Sequence, residues 1–338
     1  MNSRDFTSRG QSSQPLSPAS SLPDVDCIVV NRDGGDSLLA AIRSIQCQTE
    51  VDLSIVVVDN ASRPEERERI ARESPGARLV AFSRNLGFAA AANEGIARTR
   101  APFVLLVNND AVLSPDYTAR LAARLALDGR LAGVQGLVLA AGGTRVDTGG
   151  LEWSDRGEAV PVFAGIDVSR VPSGTFEVTG VSATAALFRR EAFADLAPSE
   201  RVFDDRFFAY YEDVDLSLRL SRVGWRFACD PGAIAWHEGS RTGRRTPFRR
   251  GLWTARNRWR TLLSNFEPRF LARSLPRLLR ADVAHARRLG VEGALLPLLV
   301  WPQIPFLALA ARREPGRLHA WPAVDPVAAS AVAATAGS

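Results

Sequence analysis

The 338 residues are enough for one large α/β domain with a helical appendage, and a composition of 46% hydrophobic and 23% charged residues is that of an ordinary globular chain. All 42 basic residues are arginine, against 37 acids; the net charge of +5 favours an anionic partner such as nucleotide phosphates or an anionic lipid surface. No paired zinc ligands, basic heptad helix or aromatic RNA-binding strand points to nucleic acid, and Cys27, Cys47 and Cys229 lie at unrelated spacings that exclude a disulfide framework and fit a reducing compartment.

Residues 1–24 are rich in Ser, Gln and Pro, lack an apolar run, and read as a disordered tail. Asp26–Asn31 (DCIVVN) reads as a buried strand, followed by a turn over Arg32–Asp36 and a helix through Cys47. Leu53–Asp59 (LSIVVVD) is a second strand, Glu65–Glu73 a charged helix, Arg78–Phe82 a third strand and Leu86–Arg98 a helix of small residues. Pro102–Val107 is a fourth strand, ending at Asn108, Asn109 and Asp110. Continuous apolar strands alternating with helices predict a mainly parallel sheet flanked by helices, with ligands beyond the strand carboxyl ends. Asn31, Asp59, Asn85 and Asp110 fall at or just after such ends.

The pattern then loosens. A helix near Pro115–Leu127 leads to the Gly-rich stretch Gly142–Gly150, and Glu177–Phe188 reads as one strand. Arg226–Cys229 and Ala233–His237 read as two late strands. Residues 25–240 form the expected catalytic domain, 241–322 a basic and apolar helical extension, and 323–338 a flexible tail. In the extension, Arg241–Arg250 with Arg256, Arg258 and Arg260 make a cationic band. Gly293–Ala311 is apolar almost throughout, but Pro297, Pro302 and Pro305 interrupt it. It reads as a helical element lying against a membrane surface or the catalytic domain, not as a span.

The richest segment is Phe203–Trp225 (FDDRFFAYYEDVDLSLRLSRVGW). An aromatic run precedes Glu212 and Asp213, and Val214, Leu216, Leu218, Leu220 and Val223 recur at helical spacing. A carboxylate in the first turn of a helix, against an aromatic wall, has the surroundings of a base that takes a proton from a hydroxyl; a helix start with solvated acids is the plainer alternative. Asp59 and its neighbours Asn60, Ala61 and Ser62 can bind a nucleobase or ribose, or simply form a turn. Arg84 and Asn85 precede a helix whose free amides can face a nucleotide. Asp110 can hold a divalent cation, for which Asn108 and Asn109 are poor company; His237, in Ala235–Ser240, is a candidate second ligand or else a structural histidine.

Taken in order, VVN, VVVDNAS, RNLGFAAAANEGI, LLVNND, GVSATAALFRREAF, FDDRFFAYYEDVDLSLRLSRVGWR, WHEGS and RNRWR strongly resemble family 2 glycosyltransferases of the GT-A fold, nearest the rhamnosyltransferase-like branch. The resemblance spans about Asp26 to Arg260. It implies that Asn31, Asp59, Arg84 and Asn85 cradle a nucleoside-diphosphate sugar, and that Asn108 and Asp110 are the outer places of a DxD motif. It further implies that Asp110 and His237 hold Mg²⁺ or Mn²⁺, and that Asp213 is the catalytic base with Glu212 beside it. Asn108 departs from the motif by one charge. The implied function is metal-dependent, inverting transfer of a hexosyl unit, rhamnosyl by likeness, to a glycan or lipid-linked acceptor. The implied place is the cytoplasm, at the inner face of the plasma membrane, with peripheral membrane contact. A catalytically inactive scaffold that binds sugar nucleotides or glycans is the alternative; a nucleotidyltransferase would need a lysine that Asn31–Asp36 lacks.

Overall fold

The structure, a computed structural model, describes residues 24–197, 201–239, 246–311 and 316–322. The expected tails, apart from Asp24, and the basic stretch 240–245 lie outside the described residues. The chain opens as β1 (Val25–Asn31), α1 (Asp36–Gln46), β2 (Leu53–Asp59), α2 (Pro64–Glu73), β3 (Ala77–Ala81), α3 (Phe88–Ala97) and β4 (Phe103–Asn108). It continues with β5 (Ala111–Leu113), α4 (Tyr117–Leu127), β6 (Leu131–Ala140), β7 (Val146–Thr148), β8 (Leu151–Trp153), β9 (Ala159–Pro161), β10 (Phe176–Val178) and β11 (Ala185–Arg189). Helix α5 (Glu212–Arg222) and strand β12 (Arg226–His237) close the sheet domain.

The main sheet runs β10-β12-β6-β11-β4-β1-β2-β3, with β5 on β12 and β7 on β6. Strands β3, β2, β1 and β4 are parallel, and β11 enters antiparallel between β4 and β6. Side chains alternate across β1: Cys27 and Val29 meet Leu38, Tyr117 and Leu121 on one face, while Ile28 joins Ala91 and Leu216 on the other. Both faces are therefore covered, which is why these strands are apolar without alternation. Register sets Asn31 beside Asp59, and Val30 beside Asn108, at one end of the sheet.

Two expectations are corrected. Glu177–Phe188 is not one strand: β10 pairs at the sheet edge, and the chain crosses to β11 in the interior. The crossing runs close under α5; a Cβ at Gly180 would lie 2.7 Å from Ser217. Conversely, Arg226–Cys229 and Ala233–His237 are one strand, with its register shifted between Asp230 and Ile234, where Pro231 has no amide to give the ladder.

The remaining helices are α6 (Pro247–Asn265), α7 (Pro268–Arg288), α8 (Gly290–Gly293), α9 (Leu295–Val300) and α10 (Ile304–Leu309). Ala255, Trp259 and Leu262 of α6 pack against Val214 and Leu218 of α5 and against Trp153, so a separate apolar core joins the helices to the sheet domain. The expected cationic band is broken here. Arg258 is buried, its guanidinium 2.8 Å from Asp282, and the same carboxylate accepts from Trp259 and Trp301. Burial also lowers the pKa of Arg256 and Arg260.

The apolar stretch Gly290–Leu309 is long and apolar enough to cross a membrane by length and composition. It folds as three short α-helical segments, joined at Ala294 and through a 3₁₀ turn at Trp301–Gln303. Leu296, Val300 and Leu307 turn inward, whereas Leu295, Leu298, Leu299, Phe306 and Leu309 are exposed.

Candidate active site

A cleft of about 790 Å³ opens at the strand ends. Asn31, Asn85, Asn108, Asp110, Glu212, Asp213 and His237 all line it. Residues 30 to 237 of the chain thus meet around one cavity, as open α/β sheets arrange their ligand sites. Asp59 and Arg84 are not among the lining residues. The Asp59 side chain is fully buried behind the cleft wall, where Arg67 at 2.8 Å, Asn31 at 3.2 Å and the Ser62 amide at 3.1 Å occupy it. Its geometry is that of a brace for Asn31. Arg84 is exposed outside the cleft.

Asn31 is itself locked, accepting from Gly34 N–H and from Asn109 Nδ2 at 2.9 Å, so the middle residue of Asn108–Asp110 fastens β4 to β1. Asn60 donates to Gly87 O at 2.9 Å and accepts from Leu86 N–H at 2.8 Å, which fixes the loop that presents Asn85.

Asp110 Oδ1 lies 3.2 Å from His237 Nε2, because β5 pairs with β12 and sets His237 opposite Ala111. The other ring nitrogen, Nδ1, is 2.9 Å from Asp147 Oδ2. Burial opposes a charge on this imidazole, but the two carboxylates outweigh it and raise its pKa to about 9. Nε2 is buried and makes no aligned hydrogen bond among the described residues. A ring nitrogen aimed at a carboxylate, with the opposite nitrogen oriented by a second carboxylate, suits a divalent cation. No group of three or more metal-ligating side chains occurs among the described residues, so Asp110 and His237 would leave most positions to oxygens of a bound ligand.

On the opposite wall stand Glu212 and Asp213, at the start of α5. Asp213 accepts from the amides of Ala183 at 3.1 Å and Val214 at 2.8 Å. Burial raises its pKa, and these amides offset part of that rise. Burial, then the neighbouring Asp213 charge, pushes Glu212 up to about 8. The pair therefore holds one proton near neutrality, leaving one carboxylate ionised.

The turn before these acids is unusual. Phe208, Tyr210 and Tyr211 have φ of 65°, 71° and 71°, a region that bulky residues rarely enter. Two buried asparagines hold its flanks. Asn93 of α3 donates to Phe203 O and Asp205 Oδ1, and Asn257 of α6 donates to Phe207 O, Ala209 O and Tyr210 O. Trp253 lies against Phe208 with ring centroids 5.0 Å apart; the guanidinium of Arg249 is 4.6 Å from the Trp253 ring and that of Arg250 5.6 Å from Tyr210.

Sequence reasoning missed Asp147, Trp253 and Asn257 as parts of this site. Asp147 lies in a Gly-rich stretch with no periodicity to place it. Asn257 lies within the RNRWR motif, which offered a signal without a role.

The model of the glycosyl transferase family 2 matches residues 26–197, just over half of the chain. A succinoglycan biosynthesis protein, ExoO, of Rhizobium meliloti (strain 1021) is 28% identical over 225 residues, 63% of this chain; the chain spans 60% of that relative's length. An N-acetylglucosaminyl-diphospho-decaprenol L-rhamnosyltransferase of Mycobacterium tuberculosis (strain CDC 1551 / Oshkosh) is 26% identical over 245 residues, 64% of this chain and 77% of that protein. Among solved structures, GalNAc-T7 with UDP, GalNAc and Mn²⁺ superposes with a TM-score of 0.58 at 13% identity, covering 85% of this chain and 58% of that one. The mannosyltransferase PcManGT of Pyrobaculum calidifontis, with GDP-Man and Mn²⁺, gives 0.52 at 19% identity and covers 88% and 89%. At such identities these structures speak for the fold. With over half of its length matched by the family's own model, the chain belongs to glycosyl transferase family 2 and has the GT-A fold.

Proposed function

We propose that the protein transfers a hexosyl unit from a nucleoside-diphosphate sugar to an acceptor hydroxyl, with inversion. The observation that carries this reading is the shared cleft: the Asn side chains near the strand ends, the Asp110–His237 pair and the Glu212–Asp213 pair all open into one space. Asn85 would hold the nucleoside, and Asn31, buried and bonded to Asp59, Ser62, Gly34 and Asn109, would shape the cleft beside it, with Asp59 acting through Asn31. Asp110 and His237 would hold Mg²⁺ or Mn²⁺, which when bound offsets charge on the diphosphate. The Asp213 carboxylate accepts the proton of the acceptor hydroxyl as that oxygen bonds to the anomeric carbon. The bond from that carbon to the diphosphate oxygen breaks, its electron pair leaving with the nucleoside diphosphate. The aromatic turn and Trp253 keep water from the reacting face.

The M. tuberculosis relative acts, by its name, on a lipid-linked diphospho-sugar as a rhamnosyl donor's acceptor. We infer the same classes here: a rhamnosyl donor by that likeness, and a lipid-linked or glycan acceptor, whose diphosphate the cleft-lining Arg249 and Arg250 would suit. The exposed apolar side chains of α9 and α10, in an extension whose helix α7 also exposes Arg273, Arg277 and Arg280, suit peripheral contact with an anionic bilayer at the cytoplasmic face. Turnover of a panel of sugar nucleotides with Mg²⁺ or Mn²⁺ tests the reaction: release of nucleoside diphosphate from one donor is expected, and release from none overturns it. For the membrane, Leu298→Ser with Phe306→Ser should reduce co-sedimentation with anionic vesicles about tenfold or more, since each buried apolar side chain contributes about 1.5–3 kcal/mol. Unchanged sedimentation removes that face from the reading.

A further inference from the structure

We propose that Asn257, on α6, is a positioning residue that sets the aim of the Glu212–Asp213 pair through the backbone of the preceding turn. The inference rests on the glycosyl-transfer reading above and extends it to a helix beyond the residues matched by the family model.

The argument begins with the strain. Phe208, Tyr210 and Tyr211 all have positive φ, and such backbone persists only where its surroundings over-determine it. Tyr211 is the N-cap of α5 and gives the helix no side-chain cap; Asp213 accepts from the Val214 amide within the first turn, which leaves the turn before the helix to be held by other elements. The fixing comes from outside. The Asn257 side chain is fully buried, and its Nδ2 lies 2.8, 2.9 and 2.8 Å from the carbonyls of Phe207, Ala209 and Tyr210. Two amide protons serve three acceptors, which draws three carbonyls of one turn toward a single point. On the other side, Phe208 O accepts from Phe88 N–H at 2.5 Å, and Gly87 fits so closely that a Cβ there would lie 2.4 Å from that oxygen.

The turn is therefore pinned between the N-terminus of α3 and the middle of α6, and the chain runs straight from it into Glu212 and Asp213. The asparagine also links the acids to the acceptor wall. Arg249, Trp253 and Asn257 recur at every fourth residue of α6, and Trp253 packs on Phe208 of the same turn. Substitution of Asn257 leaves three carbonyls without their shared donor and frees a strained turn to relax.

The test compares Asn257→Ala, Asn257→Asp and Gly87→Ala with wild type. Asn257→Asp keeps the size and removes the donors; Gly87→Ala pushes the same turn from its opposite side without touching α6. Each is expected to lower kcat by about tenfold or more, as misplacing a reacting group by about 1 Å can do; donor KM should be unchanged in the two Asn257 variants, while Gly87→Ala, which also strains the loop bearing Asn85, is read on kcat alone. In an Asp213→Asn background, Asn257→Ala should add no further loss, because it acts through that carboxylate. A structural defect would multiply the two losses and overturn the proposal, as would a kcat within about twofold of wild type.

Hydrogen exchange supplies an arm free of substrate. Asn257→Ala should speed exchange at the amides of Tyr210–Asp213 and leave β1 and β2 protected. Unaltered exchange in the turn overturns the clamp whatever the enzyme's donor. Failure of the wild-type protein to turn over any sugar nucleotide would instead overturn the glycosyl-transfer reading and leave the exchange data to judge Asn257. If Asn257→Ala does not fold, Gly87→Ala and Asn257→Asp read the same turn.

Discussion

The two walls of the cleft are built on different principles. The wall at the ends of β1, β2 and β4 is backbone-determined: strand register puts Asn31 beside Asp59 and Val30 beside Asn108, and the polar residues fall where each ladder stops. The wall bearing Glu212 and Asp213 is a strained turn held by side chains from α3 and α6, 50 to 110 residues away in sequence from the groups they bond. A sheet's register tolerates change in any one side chain. A turn at positive φ depends on the few groups that pin it. The donor side should therefore lose affinity in small steps when altered, and the acid side should lose rate abruptly.

Asp213→Asn is the sharpest way to break that contrast. The amide keeps the shape and the hydrogen bond from Ala183, yet cannot take the acceptor's proton. Transfer should fall by about 10²–10⁴, the usual worth of a general base. Binding of the nucleoside diphosphate, followed by calorimetry, should be unchanged, because Asp213 is needed only as charge moves. Wild-type turnover in this variant would sink the assignment of the base; lost nucleotide binding would show the two walls to be one unit.

A change on the donor side should be milder. Asp147 touches His237 Nδ1 and aims Nε2 toward Asp110. Loss of such an orienting carboxylate usually costs about 10–100-fold in metal affinity or activity. Asp147→Asn should accordingly raise the Mn²⁺ concentration needed for half-maximal transfer, with kcat recovered at saturating metal. Chelation of the metal should stop transfer in both proteins. A variant whose kcat falls and stays low at any Mn²⁺ concentration would mean that Asp147 works on the substrate instead.

The same contrast explains what was legible in the sequence. Apolar runs ended by Asn or Asp read directly as strands with polar ends, so β1, α1, β2, α2, β3, α3 and β4 stand within two residues of expectation. Asp59 followed the pattern in position but not in contact, because a strand-end residue's side chain can turn to the cleft or to a brace, and Arg67 drew it inward. Glu212 and Asp213 stood out as candidates from the aromatic run before them and the helical periodicity after them, while the clamp on them did not. Asn257 lies 44 residues after Asp213 by their numbers, and no local periodicity connects an amide on α6 to carbonyls before α5. Arg258 shows the converse error. Within a run of arginines it reads as surface charge, until Asp282 appears beside it in three dimensions.

The smallest expected effect concerns stability, and it separates the strain of the turn from its charge. Glu212 has a folded pKa of about 8, above its ordinary value, chiefly because it is buried and then because Asp213 is beside it. Between the unfolded and folded pKa values the native state binds the extra proton, so stability falls as pH rises through that window and is lowest above about 8. Glu212→Gln removes the titrating group and keeps most of the shape. Its Tm should match the wild type near pH 5 and exceed it at pH 9, by about 2–4 °C for each kcal/mol of burial cost relieved. The curves should converge on acidification, since below the unfolded pKa both forms are neutral. A wild-type protein whose Tm does not decline between pH 5 and 9 relative to this variant would mean that water reaches Glu212. In that case the dry surroundings proposed for the base do not exist.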